Sequence, residues 1–262
     1  MLTKVIQYFV VTLVLLFVVG PLILVILLSL FDQPSTKIAF NGLPTLYWYR
    51  AILADNDIKQ AWLNSMSVAL PVGLLGAVGG FVCGLSWWYP KNRYILIYSS
   101  IILAIVPPTA QCIGLSRIMS AMGWNESLFF LVVLSHLLWV LPFCIVIIAA
   151  GVSQVSGQVI DAAFDLGGGR AVTAFQIVFR MIWPSVISAF LVGMLLSINE
   201  YVRSFYLSGP TLMLSRYIYG KMMSGADPRV YALGGINIAI AILVILLVSL
   251  GTGMTRRNAK KL

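Results

Sequence analysis

Gln154–Pro184, QVSGQVIDAAFDLGGGRAVTAFQIVFRMIWP, is a polar stretch between two apolar runs of membrane-spanning length. Ser156 or Gly157 can start a short helix in which Ile160, Ala163 and Phe164 share one face while Asp161 and Asp165, four apart, share another. That helix is predicted to stop at Gly167–Gly169, because each glycine costs roughly 1 kcal/mol in a helix interior. A second helical pattern starts near Arg170, with Val172, Phe175 and Phe179 on one face, and Pro184 marks the entry to the next apolar run. Two short amphipathic helices about a glycine elbow make a compact knob at a membrane surface. A plain intracellular loop is the simpler reading, but a loop of roughly 30 residues with this much order usually has a task.

The composition places that knob on a membrane protein. Of 262 residues 60% are hydrophobic and 10% charged, and the mean hydropathy is +0.98, more apolar surface than a water-soluble domain of this length can hide. The net charge of +9 sits in short segments between apolar runs, not in a continuous stripe, which excludes nucleic acid as a partner and points to membrane topology. Cys83, Cys112 and Cys144 lie far apart with no C-x-x-C spacing and no histidine pair nearby, so they read as packing residues and no metal site is expected.

A helix needs roughly 20 apolar residues to cross the hydrocarbon core, and six segments qualify: residues 5–30, 61–87, 94–110, 128–150, 185–206 and 231–253. Together they form one all-α transmembrane domain over residues 1–262, with residues 151–184 as the loop between the fourth and fifth spans. The first run is too long for a signal-peptide core and reads as an uncleaved anchor. Residues 31–60 read as an external loop with a short interfacial helix at about Leu46–Leu53. Gly76, Gly80 and Gly84 line one face of the second span and let another backbone approach closely. Trp87, Trp88 and Tyr89, then Pro90, Lys91 and Arg93, read as an aromatic belt and a basic turn. Pro107–Pro108 is expected to break or kink the third span. Residues 111–127 are expected to be a connection, and His136, inside the fourth span, to make one interhelical hydrogen bond.

An even number of spans puts both termini on one side, and Arg256, Arg257, Lys260 and Lys261 favour the cytoplasm as that side, although the inside segments hold nine of the 17 Lys and Arg and the outside eight. Lys4, Lys91, Arg93, Arg170 and Arg180 fall on the same side, which makes the 151–184 loop cytoplasmic. The acids Asp32, Asp55, Asp57, Glu126 and Asp227 read as solvated loop charges.

At these residues the sequence resembles a family, the permease subunits of binding-protein-dependent ABC importers. Their cytoplasmic signature, E-A-A, three residues, G, nine residues, I-x-L-P, is matched by Asp161-Ala162-Ala163, Gly167 and Ile177-Val178-Phe179-Arg180. Asp161 stands for the usual Glu and Arg180 for the signature proline. Tyr47-Trp48-Tyr49, Asn64-Ser65 and SGPTLMLSRYIYGKMMSGADPRVYAL from Ser208 are similar to the second permease component of the spermidine/putrescine subgroup, as is Glu200 in Asn199-Glu200-Tyr201 near the external end of the fifth span.

The resemblance implies a type I ABC importer fold with a coupling helix in the cytoplasmic loop. Asp161, Ala162, Ala163, Asp165, Gly167, Phe175 and Phe179 would form the ATPase-coupling surface. It also implies two ATPase subunits that carry ATP and Mg, a second homologous permease subunit, and an external solute-binding protein, all at a bacterial inner membrane. This chain has no G-x-x-x-x-G-K-[ST] loop, so it binds no nucleotide cofactor of its own on this reading. No paired carboxylates or nucleophile–base set marks an enzyme, and no catalytic residue is assigned.

Glu200 and Arg203, three apart on one helical face, are the sharpest candidates for the solute pathway or its gate, with Asn199, Tyr201 and Asn64 beside them. Either Glu200 meets a cationic or zwitterionic solute, or the two charges pair and hold the gate shut. Arg203 replaces a residue that is usually apolar in the polyamine group, which leaves room for an amino acid or opine-like solute. An ion-coupled secondary transporter using Glu200, Arg203 and His136 is the rival from another class, but it leaves the glycine-elbowed knob unexplained.

Overall fold

The computed structural model describes residues 2–31, 43–88, 90–123, 128–225 and 227–259. Asp32, Tyr89, Glu126, Lys260 and Lys261 lie outside the described residues. Among those described the chain is all helix, with no strand. Five helices are long and apolar enough to cross a membrane: 6–29, 56–84, 129–152, 170–198 and 229–250. The chain divides into two compact units, residues 1–60 with 217–242 and residues 61–216 with 243–262.

In the first unit α1 (Leu2–Ser29) carries exposed apolar side chains on all faces, Phe17 at 81% among them, as suits a helix in lipid. α2 (Tyr47–Ala54) realises the short helix expected in the first loop. Tyr49 hydroxyl meets Ser29 Oγ at 2.8 Å, and Trp48 Nε1 donates to Phe31 O. α12 (Arg229–Ala259) approaches the same point through Gly235, where a Cβ would lie 2.7 Å from the Tyr49 hydroxyl. Asp55, between α2 and α3 (Asn56–Gly84), caps α3 by accepting from Asp57 N and Ile58 N.

Asp55 and Asp227 are not solvated loop charges. Arg229 Nη1 lies 2.6 Å from Asp55 Oδ2, and Nη2 lies 2.6 Å from Asp227 Oδ2. Burial pushes the Asp227 carboxyl up, but the side-chain and backbone hydrogen bonds from Arg229 and its charge outweigh this and hold it below the ordinary carboxylate value.

The second unit is built on α3, α6 (Leu128–Val152) and α9 (Phe179–Ile198). The glycine face expected on the second span meets α6. A Cβ on Gly80 would lie 3.0 Å from the Cys144 backbone carbonyl, and Cβ atoms on Gly76 and Gly84 would press on Cys144 and Ile148 side chains. Cys112 and Cys144 are buried, as packing residues should be, whereas Cys83 is only partly covered.

The third span breaks at its prolines, one of the two outcomes expected of them. α4 (Pro90–Ile105) ends just before them, and Pro108 opens α5 (Pro108–Ala121), so the prolines separate two helices. Pro is well suited to a first helical position because its missing N–H has no intrahelical partner there. Most of the expected 111–127 connection is therefore helix. α4 has 16 residues, about 24 Å, and is not among the five helices of spanning length, where six were expected.

The fifth span also differs. α8 (Arg170–Val172), a π-helical turn (Thr173–Val178) and α9 run without interruption from Arg170 to Ile198, through Pro184. Pro184 is buried inside the helix and marks no boundary, with Ser188 Oγ donating to its carbonyl at 2.7 Å. At the other end the helix stops at Ile198, eight residues short of the expected Tyr206, and α10 (Val202–Leu207) follows after a break. α11 (Leu214–Met223) lies within the long loop before α12.

Candidate functional site

α7 (Gly157–Asp165) starts where the sequence places it, with Ser156 Oγ accepting from Gln158 N. Ile160 and Ala163 are buried beneath it and Asp161, Ala162 and Asp165 are exposed, but Phe164, expected on the face of Ile160 and Ala163, is 45% exposed. The helix ends on two reversed bonds, Gly167 N to Phe164 O at 2.9 Å and Gly168 N to Ala163 O at 2.8 Å. That is a complete Schellman cap, and Gly167 takes the left-handed conformation it requires at φ +80°. Gly168 is equally constrained, since a Cβ there would lie 2.6 Å from Ala163 O.

The second half of the knob is the foot of the long helix. Phe175 and Phe179 ring centroids lie 5.7 and 5.5 Å from Phe81 on α3, so both rings are partly covered although each keeps an exposed edge. Arg180, where the signature has proline, is exposed on α9. A continuous helix here has no need of a proline to start a second one.

At the far end of α9, Asn199–Tyr201 form a break in which Glu200 stands between two helices, not on one face with Arg203. Glu200 Oε1 accepts from Arg203 N at 3.1 Å and lies 3.3 Å from Arg203 Nη1. Arg203 is 1% exposed and Glu200 12%. The guanidinium also donates from Nη2 to Gln111 Oε1 of α5 at 2.7 Å and lies over the Trp139 ring of α6 at 5.3 Å. Its Nε is buried with no hydrogen-bond partner. One guanidinium thus joins α5, α6 and α10, and the ion pair makes a buried cation tolerable.

The Glu200 carbonyl accepts two hydroxyls, Ser204 Oγ at 2.6 Å and Ser215 Oγ at 3.0 Å. His136 lies beside them and makes two hydrogen-bond contacts where one was expected, Nδ1 to Ser197 Oγ at 2.9 Å and Nε2 to Ser204 Oγ at 3.3 Å. Asn64 stands apart from this cluster. Its Nδ2 donates to Leu212 O, and with Ser65 Oγ accepting from Leu214 N it ties α3 to the loop before α11. Asn199 is exposed and bonds back to Leu195 O, and the Tyr201 ring packs on Phe205.

Sequence reasoning missed Gln111, Trp139, Ser197, Ser204 and Ser215. Ser197 and Ser204 are seven apart, the spacing of one face in an unbroken helix, which is the only signal that could have found them. Gln111 and Trp139 come from elements far away in the chain, and Ser215 from the helix after the next loop.

No family model matches the chain. The spermidine/putrescine transport system permease protein PotC of Haemophilus influenzae is 22% identical over 239 residues, 90% of this chain and 91% of that protein. The putrescine transport system permease protein PotI of Escherichia coli K12 is 24% identical over 226 residues, 83% of this chain and 80% of that protein. Among solved structures, a bacterial ABC transporter involved in the import of the acidic polysaccharide alginate covers 98% of this chain and 95% of its own, with 15% identity and a TM-score of 0.59. Its complex with an alginate pentasaccharide-bound periplasmic protein matches at 16% identity and a TM-score of 0.61, over 99% and 95% of the two chains. The chain resembles spermidine/putrescine-type permease subunits over most of its length and shares the fold of an ABC transporter chain.

Proposed function

We propose that the chain is the membrane-spanning permease subunit of an ATP-driven importer and forms half of the pathway for a small cationic organic solute of the polyamine kind. The observation that carries this reading is the single helix from Arg170 to Ile198. Its 29 residues, about 44 Å of helix, join the glycine elbow under α7 to the break that holds Glu200. A push on α7 reaches the Glu200 cluster through one stiff element.

In this scheme both termini and α7 face the cytoplasm, α4 makes the sixth crossing, and the protein sits in a bacterial inner membrane. The exposed Asp161, Ala162 and Asp165 surface docks on one of two ATPase subunits, which bind and hydrolyse ATP with Mg. A second, homologous permease completes the pathway, and an external binding protein delivers the solute. ATP and the loaded binding protein jointly bias the permease pair between inward-open and outward-open states.

The burial of Arg203 bears on the solute. Its charge is turned into the protein and used up on Glu200, Gln111 and Trp139. The carboxylate is the half of the pair with exposed surface, which favours an ammonium group over a carboxylate as the visiting charge. The relatives named for spermidine and putrescine transport support the same class.

Uptake by proteoliposomes holding the chain, its partner permease and ATPase, and supplied with the binding protein, tests this. Uptake of a radiolabelled polyamine is expected to require ATP inside the cytoplasmic compartment and to fall when Glu200→Gln is introduced. Uptake that survives ATP depletion but collapses with the proton gradient would overturn the reading.

A further inference from the structure

The chain has one histidine, and nothing in the scheme above gives it work. His136 is fully buried on α6, and its two ring nitrogens face opposite sides of the Asn199–Tyr201 break: Ser197 in the last turn of α9 and Ser204 in α10. It therefore bridges the two halves of an interrupted helix.

The direction of the hydrogen bonds follows from counting hydrogens. Ser204 has one hydroxyl hydrogen, and it goes to the Glu200 carbonyl at 2.6 Å, because a carbonyl can only accept. Toward His136, Ser204 Oγ can then only accept, so Nε2 must carry a hydrogen. In a neutral imidazole Nδ1 is then bare and accepts from the Ser197 hydroxyl at 2.9 Å. The opposite tautomer would set two lone pairs against each other at Nε2, and a protonated ring would strand the Ser197 hydrogen in a site where that serine is 2% exposed.

We infer that His136 is a positioning residue for Glu200, held as the Nε2–H tautomer in a one-way relay that runs from Ser197 through His136 and Ser204 to the Glu200 carbonyl. In an unbroken helix that carbonyl would accept the backbone N–H of Ser204. Here hydroxyl groups from Ser204 and Ser215 serve it instead. The relay anchors the peptide at the break, and with it the carboxylate that meets Arg203. His136 acts through its neighbours and touches no solute. The consequence for transport rests on Glu200 lying in the pathway, whereas the relay itself does not.

Two measurements separate these parts. Because the histidine is single, ¹⁵N-histidine labelling of the full chain in lipid bilayers reports one ring by solid-state NMR. A protonated Nε2 and a bare Nδ1 are expected, with the tautomer preference lost in Ser204→Ala. A ring protonated at Nδ1, alone or together with Nε2, would overturn the relay. In the assembled transporter, His136→Leu is expected to lower uptake roughly tenfold or more, because it leaves the buried Ser197 hydroxyl without an acceptor and removes the donor to Ser204 Oγ. His136→Gln, whose amide offers both a donor and an acceptor, is expected to restore most of it. Normal uptake in His136→Leu, or failure of His136→Gln to rescue in a correctly assembled complex, would overturn the positioning role. If Glu200→Gln alone transports normally, the pathway reading falls, and the NMR result still decides the relay.

Discussion

The long helix Arg170–Ile198 is interrupted at both ends, and the two interruptions are made in opposite ways. At the α7 elbow the backbone turns back on itself, and the freed carbonyls of Ala163 and Phe164 are served by the N–H groups of Gly168 and Gly167. At Asn199–Tyr201 side chains do that work: serine hydroxyls on the Glu200 carbonyl, the Glu200 carboxylate on Arg203 N, and His136 behind them. The elbow is exposed and can use water as well as glycine. The second break packs against the buried Arg203, His136 and Ser204, whose polar atoms draw most of their partners from the protein. A turn that water can reach needs only a permissive backbone, while a buried turn needs a surrounding network.

The contrast is breakable at three points. The largest effect is expected at the buried break. Glu200→Gln removes the charge that balances a guanidinium 1% exposed, and should destabilise the second unit by roughly 3–5 kcal/mol. The double variant Glu200→Gln/Arg203→Met should recover much of that loss, since it leaves no buried charge without a partner. Thermal unfolding of the detergent-solubilised chain measures both, and equal stability of the single variant and the unsubstituted chain would show that Arg203 does not depend on Glu200.

A smaller stability effect, about 1–3 kcal/mol, is expected for Gly167→Pro at the elbow, because proline cannot take φ +80° and supplies no N–H to Phe164 O. The protein should still insert, but the ATPase should no longer co-purify with it. Asp161→Lys should leave stability unchanged and also lose the ATPase. Retention of the ATPase by both variants would break the assignment of α7 as the docking surface.

The smallest effect is expected at the Asp55–Arg229–Asp227 cluster of the first unit, whose side chains are 18%, 30% and 17% exposed. It is ionic like the Glu200 pair but within reach of water, so Asp227→Asn should cost no more than about 1 kcal/mol. The sign of the pH effect follows from the Asp227 carboxyl being held below its ordinary value of 3.8. The contribution is complete above that value and is lost as the pH falls through the lower folded value. Acid titration of stability in the unsubstituted chain and in Asp227→Asn should therefore converge at low pH. A cost as large as that of Glu200→Gln would show that burial is not what separates the two ion pairs.

Much of the elbow was legible in the sequence. Ser156 as a cap, Ile160 and Ala163 inward, Asp161 and Asp165 outward and the stop at Gly167 all follow from local pattern, and the glycine face at residues 76, 80 and 84 follows from spacing. The break at Pro107–Pro108 follows from the sequence too, whereas the fate of Pro184 does not, because proline's effect depends on context. Pro108 starts α5, whereas Pro184 is absorbed in a helix whose neighbours hold it. The break at Asn199–Tyr201 carried no glycine or proline to announce it, and the charges at 200 and 203 looked like one helical face.

By itself, then, the sequence determined that this is a helical membrane protein with a capped, glycine-ended helix between two apolar runs, because composition, periodicity and capping act over a few residues. Only the tertiary structure decided that Arg170–Ile198 is one continuous helix and that Gln111, His136, Trp139, Ser204 and Ser215 gather around Glu200 and Arg203. Buried polar atoms are satisfied by whichever groups the packing brings near, and those groups lie up to 92 residues away, beyond the range of any local pattern.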